Sequence, residues 1–106
     1  MSAFLNAKDE LMGELKSVGK TLGDISAMVI MVRGIAVSSV MEIDKLDLVY
    51  DPGYGSQELY GTVLFNDGSW LEREEYDGSE DWILKVVPTI ADIETQARRF
   101  RKMLAR

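Results

Sequence analysis

Trp70 and Trp82 bracket six carboxylates, Glu72, Glu74, Glu75, Asp77, Glu80 and Asp81, with Tyr76 among them. Four kinds of chemistry use such a set. Paired carboxylates do general acid and base work, as in glycosidases. Acids beside a glycine turn can hold a hard cation through oxygen ligands. Evenly spaced carboxylates on a rigid sheet can imitate a nucleic-acid duplex, which carries one negative charge per roughly 1.7 Å of axis. Aromatic anchors ringed by acids suit a basic protein surface.

The rest of the sequence narrows these readings. The chain has no His and no Cys, so a typical zinc site, a cysteine nucleophile, a Ser-His-Asp triad and a disulfide framework each lack a required residue type. Asp77, Glu80 and Asp81 lack the ladder of alternate acids found in an EF-hand loop, and no metal site is expected. Carboxylate pairs occur in any acidic protein, and nothing else near these points to turnover. Gly53, Gly55 and Gly61 are followed by no Lys-Ser/Thr pair and open no helix, so they read as turn glycines and not as a phosphate cradle. Neither a cofactor nor catalysis is expected, and recognition by contact is left.

Charge is unevenly distributed along the 106 residues. Residues 1–41 carry four acids and four bases, residues 42–84 twelve acids and two bases, and residues 85–106 two acids and six bases. The acidic middle repels nucleic acid, so direct binding to it is not expected. In the last segment Asp92 and Glu94 precede Arg98, Arg99, Arg101 and Lys102, the order that complements a helix dipole. The start, Met1 to Glu14, is charged and amphipathic, unlike an export signal. The apolar stretch Ile25–Ile43 is interrupted by Arg33-Gly34 and Ser38-Ser39, unlike a membrane span. A cytoplasmic protein with no membrane partner is expected.

A single domain over residues 1–106 must position these groups. Phe4, Leu11, Leu15, Val18 and Leu22 recur at helical spacing, predicting a helix of about 16 residues capped by Ser2 and ended by Gly19. Ala27–Val32 and Ile35–Ile43 read as strands, with Gly34 either in a hairpin turn or at a bulge of one bent strand. Leu46–Tyr50 reads as a further short strand, and Asp51 to Ser56 as a loop. Leu59–Phe65, Trp70–Tyr76 and Trp82–Val87 form a meander through the turns at Asp67-Gly68 and Asp77-Gly78. After Pro88, Thr89 caps a helix lined by Ile90, Ile93, Ala97, Phe100 and Leu104. The expected fold is α+β: an antiparallel sheet with a meander of three or more strands, flanked by an N-terminal and a C-terminal helix packed on one face.

Strand alternation places Trp70, Glu72, Glu74 and Tyr76 on one face and Leu71, Arg73 and Glu75 on the other. Mixed aromatics and acids on one side have two explanations. Trp70–Tyr76 is an edge strand defended by charge, or it presents a partner-binding patch extended by Asp77, Glu80 and Asp81.

Gln57-Glu58-Leu59-Tyr60-Gly61-Thr62-Val63-Leu64-Phe65, Asp67-Gly68-Ser69-Trp70 and Arg73-Glu74-Glu75-Tyr76-Asp77-Gly78-Ser79-Glu80 with Trp82 resemble small uncharacterised proteins of tailed bacteriophages and prophages. Gly19 to Ile25 and the Tyr50-Asp51-Pro52-Gly53-Tyr54-Gly55 loop are similar too, so the resemblance covers about half of the chain. It ends after Trp82: the family continues with a more polar, aromatic stretch and stops soon after its proline, whereas Ile83–Val87 is apolar here and a basic helix follows.

The resemblance implies a phage accessory protein, a class that acts stoichiometrically by covering a host surface. An anti-CRISPR or anti-restriction inhibitor is expected, with an acidic, aromatic face on the basic surface of a nucleic-acid-handling defence protein. Two alternatives are a sponge for a signalling nucleotide, in a pocket of Arg33, Arg73, Tyr54 and Trp70, and a structural or assembly accessory. Self-association through the apolar strands Ala27–Val32 and Ile35–Val40 is a further expectation. If the C-terminal helix covers the sheet instead, deleting it would expose apolar surface and cause aggregation.

Overall fold

The computed structural model describes residues 4–52 and 56–105. Two tight turns set the ends of its sheet. Arg33 and Gly34 have φ of 50° and 79°, and Asp77 and Gly78 have 53° and 82°, the pair of left-handed residues that a two-residue hairpin needs to match strand twist. The first turn joins β2 (Ile25–Val32) to β3 (Ile35–Val37), and the second joins β6 (Trp70–Tyr76) to β7 (Ser79–Lys85). With β5 (Leu59–Phe65) these make one antiparallel sheet in the order β3-β2-β5-β6-β7. Gly61 in β5 allows the central strands to approach: a Cβ there would stand 2.6 Å from the Val29 carbonyl oxygen.

The sheet buries one face. Met28, Ile30, Val32, Val37, Leu59, Val63, Phe65, Leu71 and Trp82 point inward, where they meet Ala7, Leu11 and Leu15 of helix α1 (Ala7–Ser17). A 3₁₀ helix, Val40–Leu46, adds Ile43 and Leu46. A second ladder pairs β1 (Leu5–Asn6) with β4 (Val49–Tyr50). The α+β architecture with an antiparallel sheet and a helix near each terminus is as the sequence predicts.

Several boundaries differ from expectation. Strand β2 starts at Ile25, two residues before Ala27, and of the strand expected over Leu46–Tyr50 only Val49–Tyr50 pairs, because Leu46 closes the 3₁₀ helix. Helix α1 starts at Ala7 because the Asn6 side chain caps it, accepting from the Asp9 amide at 3.0 Å, while Leu5 and Asn6 are held in a ladder. The expected cap Ser2 lies outside the described residues; the expected end holds, with Gly19 left-handed just past the helix. The strand expected over Ile35–Ile43 stops at Val37, because Ser39 caps the 3₁₀ helix by accepting from the Met41 amide. Residues 27–43 therefore contribute two strands in a hairpin and part of a helix. In β7, pairing runs back to Ser79 and ends at Lys85, earlier at both ends than the Trp82–Val87 strand.

Helix α2 (Ile90–Leu104) has the predicted cap: the Thr89 hydroxyl accepts from the Asp92 amide, and the Asp92 carboxylate accepts from the Thr89 amide. Its expected packing on the sheet is not observed. None of its residues is buried; Ile90 is 79% exposed and Leu104 84%. The helix forms from its own capping and periodicity and leaves its apolar stripe in solvent.

Candidate functional site

Strand parity sorts the residues from Trp70 to Trp82 between two environments. Inward lie Leu71, Arg73, Glu80 and Trp82, all buried. The Arg73 guanidinium donates from Nη1 to Glu10 Oε2 at 2.9 Å, from Nη2 to Glu80 Oε1 at 3.1 Å and from Nε to the same oxygen at 3.2 Å. Nη2 also donates to the Tyr50 hydroxyl, which in turn donates to Glu10. Arg73 Cζ lies 5.4 Å from the Trp82 ring centroid and 5.7 Å from that of Tyr50, within cation–π range of both. Glu80 accepts in addition from the amides of Glu58 and Leu59, at 2.7 and 3.2 Å.

This cluster ties α1, β4, β6, β7 and the start of β5 together through one cation. Burial, followed by the Glu10 hydrogen bond, pushes the Tyr50 phenol well above its ordinary range, so it stays protonated as a donor. The Arg73 side chain is fully enclosed and that of Glu80 is 2% exposed, which keeps both from an external partner. Among the described residues, the buried indole N–H of Trp82 has no hydrogen-bond partner.

Outward lie Trp70, Glu72, Glu74 and Tyr76 of β6, with Asp81 and Ile83 of β7. The register lines them up with side chains of the inner strands. Val29, Thr62, Glu72 and Ile83 form one row across four strands; Ala27, Leu64, Trp70 and Lys85 form the next. Tyr60 and Met31 pair beyond Val29, and Glu74 and Asp81 pair toward the Asp77-Gly78 turn. Val29, Met31, Tyr60, Leu64, Ile83 and Tyr76 are exposed large hydrophobics, Tyr76 at 85%. The face is thus apolar over β2 and β5 and acidic over β6 and β7.

Two contacts order the acidic half. The Trp70 indole donates to Glu72 Oε1 at 3.3 Å, and Lys85 Nζ lies 2.8 Å from Glu74 Oε2. Lys85 holds the Glu74 carboxyl below its usual range, and Glu74 raises the lysine in return. Glu72 and Asp81 carry the rest of the outward charge.

The eight expected partner-binding residues therefore divide. Trp70, Glu72, Glu74, Tyr76 and Asp81 share the open face. Glu80 is a correction: its side chain points inward to Arg73, because inward parity and the Glu58 and Leu59 amides claim it. Glu75 has inward parity at the strand end, where its Oε1 accepts from the Gly78 amide at 2.8 Å, and Asp77 sits in the turn. The six carboxylates do not form one charged line, so the geometry lends no support to duplex mimicry. The edge-strand reading of Trp70–Tyr76 is also corrected, since β6 lies between β5 and β7.

The nucleotide pocket is not assembled. Arg73 and Trp70 leave β6 on opposite faces, Arg33 donates to the Val49 carbonyl at 2.8 Å, and Tyr54 lies outside the described residues, as do Gly53 and Gly55. Among the described residues, no group of three or more acids is placed to hold a metal ion, and no helix is long and apolar enough to cross a membrane. Comparison with known protein families, curated proteins and solved structures gives no match.

Sequence reasoning singled out Ala27–Val32 as an apolar surface for self-association but missed that Val29 and Met31 share one open face with Tyr60 and Leu64 of β5. The signal was the alternation within Ala27–Val32 and Leu59–Phe65, where both parities are apolar, the mark of a strand with two hydrophobic faces.

Proposed function

We propose that the protein acts stoichiometrically, without turnover, by docking the open face of its sheet on a partner protein. The observation that carries this reading is the asymmetry of the sheet: one face is sealed by α1 and the 3₁₀ helix, while the other leaves Val29, Met31, Tyr60 and Leu64 in solvent beside Glu72, Glu74 and Asp81. Exposed apolar surface with a charged margin marks protein contact sites. The complementary partner has an apolar centre and a basic rim. Basic surfaces of that kind occur on proteins that handle nucleic acid, and the resemblance to phage proteins favours a host defence effector such as a CRISPR nuclease or a restriction enzyme.

The test compares the tagged protein with Glu72→Lys/Glu74→Lys and Leu64→Glu variants in affinity capture from bacterial lysate at low and high salt. Each captured protein is then purified and its nuclease activity titrated. The reading requires a partner that is lost with either variant, weakened by salt and inhibited at a one-to-one ratio. A partner retained by both variants, or a small molecule retained by the protein in native mass spectrometry, rejects it.

A further inference from the structure

We propose that the protein self-associates through α2, which pairs antiparallel with α2 of a second copy. Ile90, Ile93, Ala97, Phe100 and Leu104 are spaced three and four residues apart in alternation, the a and d positions of two heptads. This seam makes no buried contact within its own chain, although a helix of 15 residues is marginal in water without one. The occupant is indicated by the helix's own charge order. Asp92 and Glu94 lie in its first half, and Arg98, Arg99, Arg101 and Lys102 in its second. A parallel pair sets like charge beside like. An antiparallel pair sets Glu94 against Arg101 of the second copy, twice by symmetry, and opposes the two helix dipoles.

Side-chain size points the same way. With Ile93 facing Leu104 of the second copy, Ala97 faces Phe100, so the smallest seam residue receives the largest; a parallel pair stacks Ala97 on Ala97 and leaves a gap. Two heptads bury less than the roughly 1,200 Å² of a standard interface. The association is accordingly weak and concentration-dependent, and it leaves the open sheet face of each copy free.

Sedimentation equilibrium of the full chain across two decades of concentration tests this. Wild type should pass from monomer to dimer, and Phe100→Glu should raise the dissociation constant at least about tenfold with the unfolding midpoint of the sheet unchanged. Glu94→Arg alone should weaken the dimer, and Glu94→Arg with Arg101→Glu should restore it, a rescue that a parallel pair does not give. A monomer at every concentration overturns the proposal. So does a dimer that survives Phe100→Glu and is lost with Leu64→Glu, since the contact is then the sheet face.

Discussion

Glu80 and Asp81 are adjacent in the chain and lie on opposite sides of β7. The Glu80 carboxylate meets Arg73 at 3.1 Å in the interior, and Asp81 stands in solvent opposite Glu74. One step of strand parity makes the first acid part of the core and the second part of the open face. The buried cluster in turn fixes β6 and β7 against α1, and so determines which carboxylates face outward.

The two acids should respond differently to substitution. Glu80→Ala leaves Arg73 with Glu10 as its remaining carboxylate and strips the acceptor from two backbone amides; breaking a buried pair from one side costs about 3–5 kcal/mol. Asp81→Asn should stay within about 0.5 kcal/mol of wild type. Urea unfolding measures both, and equal losses would contradict the division.

Gly61→Ala should destabilise the sheet at its centre. The added methyl would stand 2.6 Å from the Val29 carbonyl oxygen and 3.1 Å from Ile30 Cα, both backbone atoms that cannot turn aside. Overpacking of this kind costs about 1–3 kcal/mol. Hydrogen exchange should localise the loss to β2 and β5, and unchanged protection there would show that the strands separate freely.

What was legible in the sequence was local. Asp77-Gly78 specified a hairpin because two left-handed residues in succession are costly for most others, and Thr89 with Asp92 specified a helix start within four residues. The strand predicted through Ile43 failed because Val37, Val40, Ile43 and Leu46 repeat every three residues, a 3₁₀ period that an apolar run conceals. Parity alone grouped Arg73 with Leu71 on one face of the strand, without showing which face is buried. Its partners were not legible, because Glu10 is 63 residues away and Tyr50 is 23. The resting place of α2 was equally out of reach: an amphipathic stripe shows that a helix has something to cover, and not what.

Acid titration should single out Asp67. Hydrogen bonds from Lys20 Nζ, the Ser69 hydroxyl and the Ser69 amide hold its carboxyl far below the usual range. A carboxyl depressed in the folded state contributes stability that is present above its unfolded pKa of 3.8 and is lost as pH falls through the lower folded value. Carbon-detected NMR of the side-chain carboxyls should show Asp67 still ionised below pH 3.8, and Lys20→Met should move it back toward that value. An unchanged titration in that variant would assign the shift to Ser69.

Truncation at Pro88 separates the two roles a C-terminal helix can have. If α2 covered its own sheet, removing it would expose the core and the chain would aggregate, the outcome its amphipathic pattern first suggests. Because none of its residues is buried, the shortened chain should remain folded. Its stability should change by no more than about 0.5 kcal/mol, and its unfolding midpoint by less than about 4 °C for a domain of this size. On the proposed pairing of α2 it should also sediment as a monomer across the concentrations that test the full chain, and it should keep any binding that Leu64→Glu abolishes. Aggregation of the truncated chain would return α2 to the core of its own fold and remove the basis for pairing it with a second copy.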